Sequence, residues 1–221
     1  MFINAANGIS ILISLIATLM ALCVAMPFHE FAHAFAAKRE GDYTAVVSRR
    51  YTLAPHAHFD AIGFICLFFF GFGWAKPVPI DSRNFKRGKL SHFLVSIAGI
   101  ATNLILGTLF LFIYLLLIKL IPGFLSNTIY GNLLINFLTI SVSLNFMLAF
   151  FNLLPIYPLD GYRLIESCCT TDNMFLQFMR RYSTFIYIIM IFTGFFSTLY
   201  INTMGQLINV LSNIFSKLIG L

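Results

Sequence analysis

The sequence predicts an all-α polytopic membrane protein of about five to six membrane segments, one of them re-entrant, with a small β-hairpin or sheet near residues 43–53. Three observations lead there. The 221 residues are 59% hydrophobic and 10% charged, whereas soluble domains run at about 45–50% apolar and about 25% charged. The mean hydropathy is +0.88. Charge is also missing in long runs: 1–29, 61–75, 90–118, 120–159 and 182–216 carry no Asp, Glu, Lys or Arg. A spanning helix needs about 20 apolar residues, and four of the five runs supply them. The shortage of charge also excludes a disordered chain and a coiled coil.

Taken in order, the first run crosses inward from an external N-terminus. Its first basic residue is Lys38, so it has no charged n-region of a cleavable signal. Tyr43-Thr44-Ala45-Val46-Val47 and Tyr51-Thr52-Leu53 follow, opened by Gly41-Asp42 and bounded by Pro55. That composition predicts strand. The run 61–75 is Phe-rich, framed by glycines and too short to cross, and Lys76-Pro77-Val78-Pro79 stops it. A re-entrant segment buried in protein or lining a wet cavity fits it best. The segment 90–118 then crosses outward, 131–154 inward and 182–200 outward. The tail from Gly205 to Leu221 has apolar residues at helical spacing, which predicts an amphipathic or packed final helix.

This topology puts twelve of the fourteen basic residues on the cytoplasmic side, as the positive-inside rule requires. The net charge of +6 therefore reads as an orientation signal, and no nucleic-acid partner is expected. The four cysteines show neither a Cys-x-x-Cys spacing nor a disulfide framework. With no repeat and no long linker, the chain reads as a single domain over 1–221. Its core motifs lie within 20–165 and its C-terminal helices within 182–221.

The first apolar run ends in His29-Glu30-Phe31-Ala32-His33. Histidines at i and i+4 share one helix face and can grip one cation. In zincins two neutral imidazoles bind Zn²⁺ and the glutamate between them is the general base. A catalytic zinc wants three protein ligands and an open position for water. Asp160 is the first charge after the 40-residue uncharged run 120–159, and on this topology it emerges on the same side as His33. Alone it would read as the N-cap of a helix starting near Tyr162. Beside the upstream histidines it reads as the third ligand. His56 and His58 fit a surface loop better than a second metal site. Asn103, Asn136 and Asn145 lie within apolar runs, where interhelical hydrogen bonding accounts for them, with an active-site role for Asn103 equally open.

His29-Glu30-Phe31-Ala32-His33 together with Asn152-Leu153-Leu154-Pro155-Ile156-Tyr157-Pro158-Leu159-Asp160-Gly161 resembles the site-2 protease family of intramembrane zinc metalloproteases. Gly71-Phe72-Gly73-Trp74-Ala75-Lys76-Pro77-Val78-Pro79 and Ser96-Ile97-Ala98-Gly99-Ile100-Ala101-Thr102-Asn103 resemble the loop and helix of its small bacterial members. The resemblance implies one zinc per chain, bound by His29, His33 and Asp160, with Glu30 as catalytic acid/base. It implies substrate or oxyanion contacts for Asn152, and Asn103 is a further candidate for that role. Family members often carry proline where Ile100 and Tyr157 stand and a second glycine where Tyr162 stands; the stretch from His33 to Asp160 leaves no room for a PDZ insert beside its membrane segments, and a minimal member without a C-terminal regulatory domain is expected.

The expected function is hydrolysis of peptide bonds in or near transmembrane segments of membrane proteins, close to the cytoplasmic face of a bacterial cell membrane. The expected partners are those substrates, the lipid bilayer and an adaptor or inhibitor membrane protein. The residues 43–53 are expected to add the unwound substrate as an extra strand. Two other classes remain open at this point: a catalytically silent relative that binds membrane helices, and a membrane metal transporter.

Overall fold

The computed structural model describes residues 5–63, 75–169 and 173–221. The architecture is helical: α1 (Ala5–Arg39), the single turn α2 (Thr44–Val47), α3 (Lys89–Leu120), α4 (Pro122–Asn127), α5 (Ile129–Leu153), α6 (Asp160–Cys168), α7 (Met174–Phe192), α8 (Phe195–Tyr200) and α9 (Gln206–Ile219). A π-helical turn over Ile201–Gly205 joins α8 to α9. Among the described residues, α1 (over Gly8–Arg39), α3 and α5 are long and apolar enough to cross a bilayer. At about 1.5 Å per residue, 25 residues exceed a hydrocarbon core of about 30 Å. A fourth span exists if Met174–Met190 and Phe195–Ile219, bent by 86°, count as one. The chain is thus a multi-pass integral membrane protein with three or four candidate spans. The expected re-entrant stretch falls mostly on 64–74, which lies outside the described residues, as do Cys66 and Trp74.

The chain forms two compact units. The first comprises 1–25, 104–147 and 197–221. Here Ala17, Ala21 and Ala25 are fully buried along one stripe of α1, small residues of the kind that let helices approach closely in lipid. Phe110 meets Phe137 and Phe112 meets Phe215 edge to face, with centroids 5.6 and 5.3 Å apart.

The second unit comprises 26–103 and 148–196, and it holds every residue that the sequence proposes for chemistry. The expected hairpin at 43–53 is not formed. Among the described residues there is no strand, only an isolated bridge between Phe59 and Ala75. The cause is local. Asp42 is fully buried, and its Oδ1 accepts from the Thr44 amide at 3.0 Å and from the Thr44 hydroxyl. This Asx-type turn just ahead of α2 leads the chain into a helical turn, which β-branched composition alone does not prevent. Arg49 then ends the turn in the left-handed region with φ 56°, and the Arg50 amide donates back to the Ala45 carbonyl at 2.8 Å. Without a strand there, substrate addition onto 43–53 has no template.

Asp42 also accepts from the Asn84 side chain at 2.9 Å and from the Asp81 amide at 2.8 Å, so it ties the loop after α1 to the loop before α3. Glu40 does the same two residues earlier. It pairs with Arg87 and accepts from the Ser91 hydroxyl at 2.6 Å. The bonds from Arg87, and then Ser91, hold the Glu40 carboxyl down from 4.5 to about 2. Arg83 likewise holds Asp81 down to about 2. A carboxylate whose pKa is depressed by folding stabilises the fold above its unfolded value and ceases to as pH falls through the folded one. Thermal unfolding in detergent should therefore show stability lost between about pH 4.5 and about pH 2, and Glu40→Gln should flatten that slope.

Candidate metal centre

The centre is assembled on three helices of the second unit. On α1, His29 and His33 lie one turn apart and are both buried. Pro27, fully buried two residues earlier, has no N–H and leaves the Cys23 carbonyl without its helical donor. The third group arrives from α6. Asp160 opens that helix, but Leu159 is the cap residue and no side chain caps the helix. The Asp160 carboxylate instead turns to the imidazoles. Its Oδ2 lies 3.3 Å from His29 Nε2 and 3.0 Å from His33 Nε2, and the two Nε2 atoms are 3.1 Å apart.

That triangle has the dimensions of a metal face. Tetrahedral ligands at about 2.0–2.1 Å from Zn²⁺ stand about 3.3 Å from one another. The same three residues form a metal-competent cluster of His, Cys, Asp or Glu among the described residues. The remaining ring nitrogens are occupied: His29 Nδ1 lies 2.5 Å from Asn103 Oδ1 and His33 Nδ1 lies 2.7 Å from the Val95 carbonyl. Both partners are acceptors, so each Nδ1 carries the proton and each Nε2 presents its lone pair to the centre. The donor set of two neutral imidazoles and one carboxylate, leaving a fourth position, suits zinc.

Val95, Gly99 and Asn103 follow one another at four-residue spacing on α3, a single stripe under the two imidazoles. A Cβ on Gly99 would stand 2.4 Å from His33 Nε2 and 2.6 Å from His29 Cε1, so only glycine admits both rings. Sequence reasoning singled out Asn103 but did not find Val95 or Gly99. The signal was present: the helix motif carrying the resemblance contains Gly99 and Asn103 at i, i+4, but the face they share becomes meaningful only once α1 is laid against it. Gly161 on α6 is a second close approach, with its Cβ position 2.2 Å from the Leu153 carbonyl oxygen.

Glu30 lies on α1 between the histidines. Its Oε2 accepts from the Val78 amide at 2.7 Å, and among the described residues its other oxygen has no hydrogen-bond partner. Val78 stands between Pro77 and Pro79, so its N–H is the sole backbone donor in that tripeptide. Arg50 Nη2 donates to the Lys76 carbonyl at 2.6 Å and so holds the same segment. A cavity of about 210 Å³ opens beside these groups, lined among others by His29, Glu30, Phe151 and Asn152. The Asn152 amide donates to the Leu148 carbonyl at 3.0 Å and shares this cavity with Glu30, whereas the Asn103 side chain bonds to a ring nitrogen of His29. His58 is fully buried on the Thr52 carbonyl, at 2.7 Å, while His56 is exposed, so the two do not converge. Asn136 donates to the carbonyl of Asn132 in its own helix.

Residues 17–197 match peptidase family M50. The chain belongs to this family. YwhC of Bacillus subtilis (strain 168), a protein named as a candidate zinc metalloprotease, is 44% identical over 145 residues, which covers 66% of this chain and 65% of that relative. The chain thus spans just under two thirds of its relative's length. No solved structure matches the chain. For an M50 chain the stripe on α3 has a direct test. Asn103→Ala removes the acceptor that fixes the His29 tautomer, and metal affinity should fall by about 10–100-fold, read by competition with a chromogenic chelator. Asn103→Asp, which keeps an acceptor, should retain most of it.

Proposed function

We propose that the chain is an intramembrane zinc metalloprotease that hydrolyses peptide bonds in or near transmembrane segments of membrane proteins, close to the cytoplasmic face. The observation that carries this reading is the triangle of His29 Nε2, His33 Nε2 and Asp160 Oδ2, with sides of 3.0–3.3 Å, placed one residue from a glutamate that faces the same cavity. When bound there, Zn²⁺ supplies Lewis acidity, which polarises a carbonyl and acidifies a water.

The chain's own residues do the rest. His29 and His33, with their Nδ1 protons held by Asn103 and Val95, keep fixed tautomers. Glu30, with Oε2 tied to the Val78 amide, keeps Oε1 for a proton, which it takes from the attacking water and returns to the leaving amine. Asn152, at the cavity wall, holds the substrate backbone or its developing oxyanion. Transmembrane proteins are the substrates, the bilayer is the solvent, and an adaptor or inhibitor membrane protein is a further partner. A helical substrate has its carbonyls engaged in internal hydrogen bonds and must unwind before attack. Five to six membrane segments, with the basic residues on the cytoplasmic side of a bacterial membrane, give the centre water from that side.

The test is zinc stoichiometry of the purified chain combined with cleavage of a membrane-tethered substrate, with Glu30 intact and as Glu30→Gln. Zinc with Glu30-dependent cleavage supports the protease. Zinc without cleavage by either form points to a silent helix-binding relative, and metal flux in proteoliposomes to a transporter.

A further inference from the structure

The one-turn helix after α1 is not used by the metal centre, yet it is held close to it. Ala45 packs in one buried cluster with Ala34 and Val78, with Tyr51 against them, and the Tyr51 ring lies 4.9 Å from that of Phe31. Residues 44–51 thus fold back along the last turns of α1 instead of extending beyond its end. Phe31 and Ala34, the residues contacted on α1, both lie within one helical turn of His33. Beside Ser48 and Arg49, this segment turns apolar side chains outward: Val47 is 82% exposed and Val46 is exposed, flanked by Tyr43 at 54% and by Phe35 on α1.

Cations stand around this apolar surface. Arg39 lies over the Phe35 ring and Lys38 over the Tyr51 ring, and Arg49 is exposed. Among the described residues no ion pair engages these three, because both acids of the segment face inward, Glu40 onto Arg87 and Ser91 and Asp42 onto Thr44, Asn84 and the Asp81 amide. Arg49 also keeps a left-handed φ of 56°, a position where glycine costs least.

We propose that residues 35–50 form a membrane-surface anchor. Tyr43, Val46 and Val47 enter the interfacial zone of the bilayer, while Lys38, Arg39 and Arg49 bind the phosphates of anionic phospholipids. Apolar groups at headgroup depth with flanking cations are the elements of such binding. The anchor also borders the catalytic glutamate's support. Arg50 donates to the Lys76 carbonyl, two residues before the amide that holds Glu30, so headgroup contacts and the position of Glu30 depend on the same loop.

The test uses the full chain in phosphatidylcholine nanodiscs. Trp74→Phe removes the single native tryptophan, and Val47→Trp places an indole at the anchor. A small fraction of either brominated phosphatidylglycerol or brominated phosphatidylcholine is added as quencher. The anchor requires quenching by both, with the anionic lipid the stronger. Arg39→Gln and Arg49→Gln should each reduce that preference by about fivefold, and Arg49→Lys should keep it. Monodisperse elution of each variant reports folding independently of the lipid. An indole quenched by aqueous iodide but not by either bromolipid overturns the anchor. Equal quenching by the two bromolipids overturns its selectivity for anionic headgroups.

Discussion

Glu30→Gln is expected to keep one zinc per chain while hydrolysis of a membrane-tethered substrate falls by about a hundredfold to ten-thousandfold, the range for removing a positioned general acid/base. The substitution is chosen for what it leaves alone. Glutamine has the same shape, and its carbonyl oxygen still accepts from the Val78 amide, which now holds Glu30 Oε2 at 2.7 Å. The triangle of His29, His33 and Asp160 does not include Glu30, so the metal site should be unaffected. What is lost is a group that can take and return a proton. Asp160→Asn should show the opposite pattern, losing metal first and activity as a consequence, because a neutral amide is a poorer ligand for Zn²⁺ than a carboxylate. Metal analysis alongside single-turnover cleavage separates the two variants. Glu30→Gln activity within a few-fold of the intact chain would mean that the proton acceptor is another group.

How much of this was legible in the sequence depended on how local each signal is. His29, Glu30 and His33 lie within one helical turn, so their common face follows from the 3.6-residue period alone. Asp160 was legible for a different reason: a carboxylate directly after a 40-residue uncharged run is costly unless it has a task. Its choice of histidines over a capping role at the start of α6 could not be read from spacing, because it depends on α6 meeting α1. The same holds for Val95, a carbonyl with no sequence signature of its own. The segment 43–53 was misread because β-branched residues were weighed as strand formers, while a single buried aspartate just ahead of them decided the backbone. Propensity gives way when a side chain offers the first amides of a turn a better acceptor. The apolar C-terminal run was legible as helix with a separate final helix after Gly205, but the break between α7 and α8 at Thr193 and Gly194 was not.

Gly99→Ala is the second variant with a large expected effect, and it tests the centre without touching a ligand. One methyl group is added to α3, in a helix where alanine is otherwise preferred over glycine by about 1 kcal/mol. Helix propensity alone therefore predicts a slightly more stable protein. The packing predicts the reverse. The new Cβ would lie 2.4 Å from His33 Nε2, 2.6 Å from His29 Cε1 and 2.8 Å from His29 Nδ1, well inside van der Waals contact. Imidazoles on a free surface could swing aside. These two cannot do so without loss, because Asn103 and the Val95 carbonyl hold their Nδ1 atoms from the same helix, four residues to either side of the added methyl. Either α3 moves away from α1, breaking both hydrogen bonds, or the rings rotate and the Nε2 atoms leave the triangle with Asp160. Both routes dismantle the metal site, so zinc affinity should fall by at least about 100-fold, the upper range for losing one outer-shell partner, and hydrolysis should fall with it. Helix content by circular dichroism should remain, since the methyl itself favours helix. Equilibrium dialysis against buffered zinc reads the affinity directly. A Gly99→Ala chain that still binds zinc within a few-fold of the parent would show that the rings do not pack over this position.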